Sequence, residues 1–390
     1  MTQLFSFSST WSYVLRIRLL TLTMLLVSAS AALTACGGGS SDPADAAAVA
    51  NRQHGGGKNP GKPSSSSPSS SSSSGSSPST PTTPSSVPFY GVNGHYIQGG
   101  VYSSNIPQQV ADMKAMGVTS IRQDCYSTAD TAEMASQVSS FAPIKIQPVF
   151  NVFPTTTDET TAYNQYYAYG KTVAGQLAGK VAVIEMMNEP ENMYFKNGPS
   201  YGGQDVTEWA TSNSQWPAFR GAVRGFYAGF RAVDTTKQTL IASPSVGWLH
   251  YGMLEGLWKG EAPDGSTGHP TATWDITNYH WYYDFGDIQN AGGVNTLAVI
   301  KSLFNLPILL SEIGVQTSVS NSKYNAYVAS NLAEYASNAK TYNIIGVDWY
   351  ELYNFQNMNG FYMGLYSSPG VGNAGRAAAM TTAVASNPAP

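Results

Sequence analysis

The sequence predicts an α/β protein, a (β/α)8 TIM barrel spanning residues 88–390. Three observations lead there. Short apolar runs alternate with helix-patterned stretches along this segment, and strands that alternate with helices indicate a parallel sheet. The alternation occurs in eight units, the number that closes such a sheet on itself rather than leaving it open. Polar and aromatic residues recur at the ends of the apolar runs, which is where a barrel of this kind gathers its functional groups.

Phe89-Tyr-Gly-Val-Asn93 reads as the first strand and residues 107–116 as its helix, with Pro107 at the start and Gly117 at the stop. The second unit pairs strand 118–124 with helix 128–141, and the third pairs 144–150 with 158–179. The fourth strand is read over 181–188, followed by a long loop and a helix from Trp216 to about residue 233. A short fifth strand, 240–243, precedes a helical stretch at 249–258. The sixth unit pairs 275–282 with 294–304, the seventh 307–312 with 322–339, and the eighth 344–350 with a closing helix at 373–385. The loops at 191–215, 283–292 and 351–371 are rich in Asn, Gly and aromatics and follow strands four, six and eight, so they are expected to wall a cleft.

The N-terminal part reads differently. Arg16 and Arg18 precede an apolar stretch from Leu19 to Leu33, about the length of a signal-peptide core and short for a membrane span. Leu33-Thr34-Ala35-Cys36, followed by three glycines, resembles the bacterial lipoprotein box. That resemblance implies cleavage of an export signal over 1–35, lipidation of Cys36 and attachment to a membrane, on the periplasmic side or at the cell surface. The chain has two cysteines; with Cys36 acylated, Cys125 has no partner for an intramolecular disulfide and reads as a buried small residue. Residues 36–87 are a Gly/Ser/Pro-rich stretch that buries too little apolar surface to offset its ordering entropy, and read as a disordered tether. With 20 basic against 24 acidic residues, a net charge of -4 and no run of Lys or Arg, nucleic acid is excluded as a partner. Twenty-four tyrosines on a weakly charged chain suit sugars, which stack on rings and hydrogen-bond to amides and hydroxyls.

The chemistry falls at strand ends: Arg122 and Asp124, Asn188 and Glu189, His280 and Tyr282, Glu312 and Trp349. Residues two apart on a strand share a face, so Arg122 with Asp124, and His280 with Tyr282, converge. The same alternation puts Glu185 on the face opposite Asn188, so Glu185 is not read as the acid. Two carboxylates presented by different strands suit a retaining glycosidase. The motifs Asn188-Glu189-Pro190, His280-Trp281-Tyr282, Ser311-Glu312-Ile313-Gly314 and Asp348-Trp349-Tyr350, in this order, resemble the glycoside hydrolases of clan A over essentially the whole of 88–390. Family 5 members carry a histidine near the end of strand three, and Pro148-Val-Phe-Asn-Val-Phe-Pro154 has none. Asn188-Glu189-Pro190 and Gly91-Val-Asn-Gly-His95 are closer to family 39-like members, including those that act on bacterial exopolysaccharides.

The resemblance implies Glu189 as general acid/base and Glu312 as nucleophile. Asn188 would bond a sugar hydroxyl, Arg122 and Tyr282 would contact Glu312, His280 would lie near Glu189 or line the sugar site, and Trp349 would form a subsite floor. Glu189 is expected to have a raised pKa, through partial burial and the Glu312 charge. Arg122 has a structural alternative as partner of Asp124, His280 as a hydrogen-bonded wall residue, and Trp349 as core. The five histidines show no metal-ligand spacing, and no metal or cofactor is expected. The expected partners are a polysaccharide or oligosaccharide substrate and, through the lipid anchor, a membrane; a monomer is expected. A glycan-binding barrel without activity and a transglycosylase using the same residues remain the competing functions.

Overall fold

The computed structural model describes residues 87–390, except Ser104, Val152, Tyr194, residues 196–201 and 211–213, and Asn359. The export signal, Cys36 and the tether up to residue 86 lie outside the described residues. Nine strand segments form one sheet: β1 (Tyr90–Gly94), β2 (Ser120–Cys125), β3 (Lys145–Phe150), β4 (Val183–Glu185), β5 (Leu240–Ala242), β6 (Val246–Gly247), β7 (Thr277–Tyr282), β8 (Ile308–Gly314) and β9 (Ile344–Tyr350). Their order is β5-β4-β3-β2-β1-β9-β8-β7-β6, and every pairing is parallel. A parallel bridge between Ala242 and Ile276 joins the two ends and closes the barrel. β5 and β6 are one barrel strand interrupted at Ser243-Pro244-Ser245, because Pro244 has no N–H to give the ladder.

The helices are α1 (Ile106–Ala115), α2 (Thr128–Phe141), α3 (Glu159–Leu177), the short α4 (Pro190–Met193), α5 (Trp216–Arg231), α6 (Tyr251–Lys259), α7 (Thr296–Phe304), α8 (Asn321–Tyr342) and α9 (Arg376–Ser386). Side-chain caps start five of them: Asn105, Ser127, Asp158, Asn295 and Ser320 each accept from an N–H three residues on. Among the described residues no helix is long and apolar enough to cross a membrane. α3 and α5 meet almost backbone to backbone. A Cβ on Gly221, Gly225 or Gly229 would lie within 2.0–2.3 Å of the carbonyl oxygens of Glu159, Tyr163 and Tyr167. Arg220 also holds Glu159 through two hydrogen bonds, at 3.0 and 2.6 Å.

Alternation along the strands sorts two interiors. Ile121, Ile146, Ile184, Trp281, Ile313 and Trp349 belong to the main apolar core. Val183, Leu240, Ala242, Ile276 and Leu309 form a separate buried cluster. Val183 is two residues before Glu185 and shares its face, so this second cluster plugs the barrel beneath a polar layer. Asp348 belongs to that layer, accepting from Ser120 Oγ at 3.3 Å and Gln147 Nε2 at 3.1 Å. It crosses directly over β1, where a Cβ on Gly91 would lie 1.7 Å from Asp348 Oδ1, so only glycine fits.

Burial pushes the Asp348 carboxyl up to about 7, with Arg122 opposing and Glu185 reinforcing the shift. The folded chain therefore binds a proton between roughly pH 4 and 7 that the unfolded chain releases. Stability is expected to fall as pH rises through that window, by about 4 kcal/mol from this group. Asp348→Asn should remove most of that slope and be the more stable protein at pH 8, because the amide can accept from Gln147 and donate to Ser120. Urea unfolding of both proteins from pH 4 to 8 measures it.

Candidate active site

Arg122 organises the mouth of the barrel. β2 ends on the polar layer, and its guanidinium spends its donors on four groups. Nε and Nη2 hold Glu185 bidentately at 2.7 and 2.8 Å. Nη1 donates to Asn93 Oδ1 at 2.8 Å and to Glu312 Oε1 at 2.5 Å. Nη2 also reaches Asn188 Oδ1 at 2.7 Å. The second Glu312 oxygen accepts from the Tyr282 hydroxyl at 2.5 Å. Both oxygens of Glu312 are thus fixed, by a permanent cation and a phenol, on a side chain only 8% exposed.

Glu189 stands opposite and more open, its side chain 24% exposed. Its backbone is left-handed, with φ of 41°, a conformation that costs a non-glycine residue free energy and needs support from its surroundings. The support comes from the interrupted strand: Glu189 N donates to Ser245 Oγ at 3.1 Å. Glu191, one step into α4, accepts from Gly247 N at 2.7 Å and pins that helix to β6. The Glu189 carboxyl accepts from Asn192 Nδ2 at 3.2 Å and pairs with His280 Nδ1 at 2.7 Å. His280 Nε2 in turn meets Ser311 Oγ at 3.0 Å. One ligand atom from each of Glu189, His280 and Glu312 lies within 4.8 Å of the others, so the two carboxylates approach within that distance. A divalent cation could span such atoms, but Glu312 would have to give up donors already in place, beside a guanidinium that repels it.

The expected protonation of Glu189 is corrected by this geometry. Burial raises its pKa, but the hydrogen bond and positive charge of His280 more than offset burial, and the net shift is downward. Burial lowers the His280 pKa, while Glu312 and Glu189 more than reverse that, and its net shift is upward. In the free site the shared proton therefore rests on the imidazole, and the two groups titrate as a pair. Removing His280 leaves burial dominant. In His280→Ala the Glu189 carboxyl should titrate above the ordinary glutamate range instead of below it, as followed by carboxyl carbon-13 NMR against pH.

Of the residues singled out from the sequence, Arg122, Asn188, Glu189, His280, Tyr282 and Glu312 converge at one place. Trp349 does not. It is wholly buried on the helix side of β9, its Nε1 donating to the Tyr324 hydroxyl of α8 at 2.7 Å. The inward positions of β9 are Asp348 and Tyr350, so a floor role for Trp349 fails by one residue of strand register. Glu185 is likewise corrected: it shares Arg122 with Asn188 rather than facing away, because β4 leaves the ladder at Glu185 and strict alternation stops there. Arg122 does not bond Asp124. That carboxylate takes His95 Nδ1 at 2.5 Å, Gln98 Nε2 at 2.6 Å and Asn151 Nδ2 at 3.2 Å. His95 also meets the Tyr350 hydroxyl at 3.1 Å and Glu351 at 3.5 Å. Cys125 is buried and free, as expected.

Sequence reasoning gave no role to Asn93, His95, Glu191, Ser245 and Tyr350, and set Glu185 aside. Asn93 carried a usable signal, since it is two residues after Gly91 on the same strand and reaches the polar face by alternation. Ser245 had only its position after a proline.

No protein-family model matches the chain, and no curated protein matches it. Solved structures do resemble it. A β-glycosidase from the hyperthermophile Thermosphaera aggregans superposes with a TM-score of 0.57 at 10% identity, over 79% of this chain and 97% of that one. A hyperthermophilic β-glucosidase from Pyrococcus furiosus gives 0.56 at 11% identity, over 79% and 96%. A family 39 glycoside hydrolase from the gut symbiont Bacteroides cellulosilyticus WH2 gives 0.53 at 17% identity, over 76% of this chain and 64% of that one. At these identities the likeness establishes the fold, a (β/α)8 barrel.

Proposed function

We propose that the protein is a retaining glycoside hydrolase that cleaves β-glycosidic bonds of a polysaccharide, a bacterial exopolysaccharide being one such substrate, and that it is exported and lipid-anchored through Cys36. The observation that carries the catalytic reading is the approach of Glu189 and Glu312 to within 4.8 Å at the barrel mouth. Retaining enzymes place their carboxyl groups about 5–5.5 Å apart, whereas inverting ones need about 6.5–9.5 Å to admit a water. Neighbouring folds that are themselves β-glycosidases agree with this reading.

The roles follow from exposure and bonding. Glu312, sheltered and oriented by Arg122 and Tyr282, attacks the anomeric carbon. The bond to the leaving oxygen breaks as Glu189 delivers a proton to it, a proton regained from His280 across the 2.7 Å hydrogen bond. Glu189, now a carboxylate, then takes a proton from the water that releases the sugar from Glu312. Asn188, anchored by Arg122, keeps its amide donors for a sugar hydroxyl.

The test is reducing-sugar release from a panel of β-linked polysaccharides and bacterial exopolysaccharides, with Glu312→Gln alongside. Release by the wild type and not by the variant supports the assignment. Equal binding of a polysaccharide by both proteins, with no cutting by either, would replace it with a glycan-binding barrel.

A further inference from the structure

We propose that the glycan taken by this site is uncharged, a chain without carboxylate, sulfate or phosphate groups. This rests on the hydrolase reading above and names its substrate class. The cations at the mouth are already matched. Arg122 is held by Glu185 and Glu312, with its remaining donors on Asn93 and Asn188. His280 sits between Glu189 at 2.7 Å and Glu312 at 3.5 Å. His95 sits between Asp124 and Glu351. Among the described residues these three cationic groups face five carboxylates, and none has a free side to offer an acidic sugar.

The loops repeat the pattern. The stretches joining each barrel strand to its next helix, residues 95–105, 126–127, 151–158, 186–215, 248–250, 283–295, 315–320 and 351–375, contain no arginine, and Lys196, outside the described residues, is their one lysine. Against it stand Asp158, Glu189, Glu191, Asp205, Glu208, Asp284, Asp287 and Glu351. Just past the loops stand Lys323, exposed on the first turn of α8, and Arg376, which is committed elsewhere: it donates to the carbonyls of Tyr362 and Gly364 and lies 4.0 Å over the Tyr324 ring. Arg220, Arg224 and Arg231 lie on α5, paired with Glu159, Asp234 and Asp275.

A cleft lined by one sign of charge focuses its field and excludes ligands of the same sign. An acidic sugar bound there would also lose its hydration without gaining a counter-ion. What the mouth does offer is neutral: the Asn188 amide, the Tyr350 hydroxyl and the Tyr126 ring, 44% exposed just past β2. Rings and amides suit uncharged sugars.

The test uses soluble β-1,3-glucan, β-1,4-glucan and β-1,4-mannan, each before and after oxidation of its primary hydroxyls to carboxylates. Cutting is measured with the wild-type protein and binding with Glu312→Gln by affinity electrophoresis, at low and high salt. A neutral polymer should be cut or bound at least about 10-fold better than its oxidised partner, with the gap narrowing as salt rises. If nothing is cut but a neutral polymer is still preferred in binding, the substrate class stands and the hydrolase reading falls. Equal or better handling of the oxidised polymers, or no binding of any neutral one, overturns the proposal.

Discussion

Glu312→Gln should reduce hydrolysis of an activated aryl β-glycoside by roughly 10^4-fold or more while leaving the protein folded, because no neighbouring group can form the glycosyl-enzyme in its place. The glutamine keeps an oxygen for Arg122, so the variant tests the nucleophile rather than the packing. Glu189→Gln should fail differently. A leaving group that departs without a proton still allows the first step, so the glycosyl-enzyme accumulates and its release becomes slow. A pre-steady-state burst is then expected, and added azide, which needs no general base, should restore turnover and yield a glycosyl azide. Slow first-step kinetics in Glu189→Gln with such a substrate would reverse the two assignments.

Arg122→Met should be the most destabilising single change at the mouth, by about 3–5 kcal/mol, the usual cost of breaking a buried ion pair. Glu185 is wholly buried and has Arg122 as its bidentate partner, so its charge would be stranded. Activity should fall with stability, since Glu312 loses one of its two donors. The reason given for the loss has its own check. Adding Glu185→Gln to Arg122→Met removes the stranded charge and should recover a large part of the stability, read as the urea midpoint at pH 7. A single variant losing under about 1 kcal/mol, or a double variant no better than the single, would show that the pair contributes little.

The barrel was readable from the sequence because its units are strongly patterned. Helix 128–141 and strand 344–350 match α2 and β9 at both ends, the other expected helices differ by a few residues, and the short α4 falls where a loop was expected. Strand four was read too long. Residues 181–187 are apolar apart from Glu185, but the ladder holds only Val183–Glu185, since the chain turns out to present Asn188 and Glu189. Apolar runs report burial and not pairing, so this departure left no mark in the pattern. The same turn carried Glu185 to Arg122. Trp349 shows a second limit: which of two adjacent aromatic residues faces inward depends on register, and Trp349-Tyr350 offers no local cue. Pairwise electrostatics were the least accessible, because the downward shift of Glu189 comes from His280, 91 residues away in the chain.

The carboxylate approach makes one stereochemical claim, and proton NMR of the first-formed product tests it most directly. On whichever β-linked substrate the protein cuts, the reducing end released at the earliest times should be the β anomer, with the α anomer growing in later by mutarotation. An α anomer formed first would mean inversion by a water between the two carboxylates, and would contradict Glu312 as the attacking group.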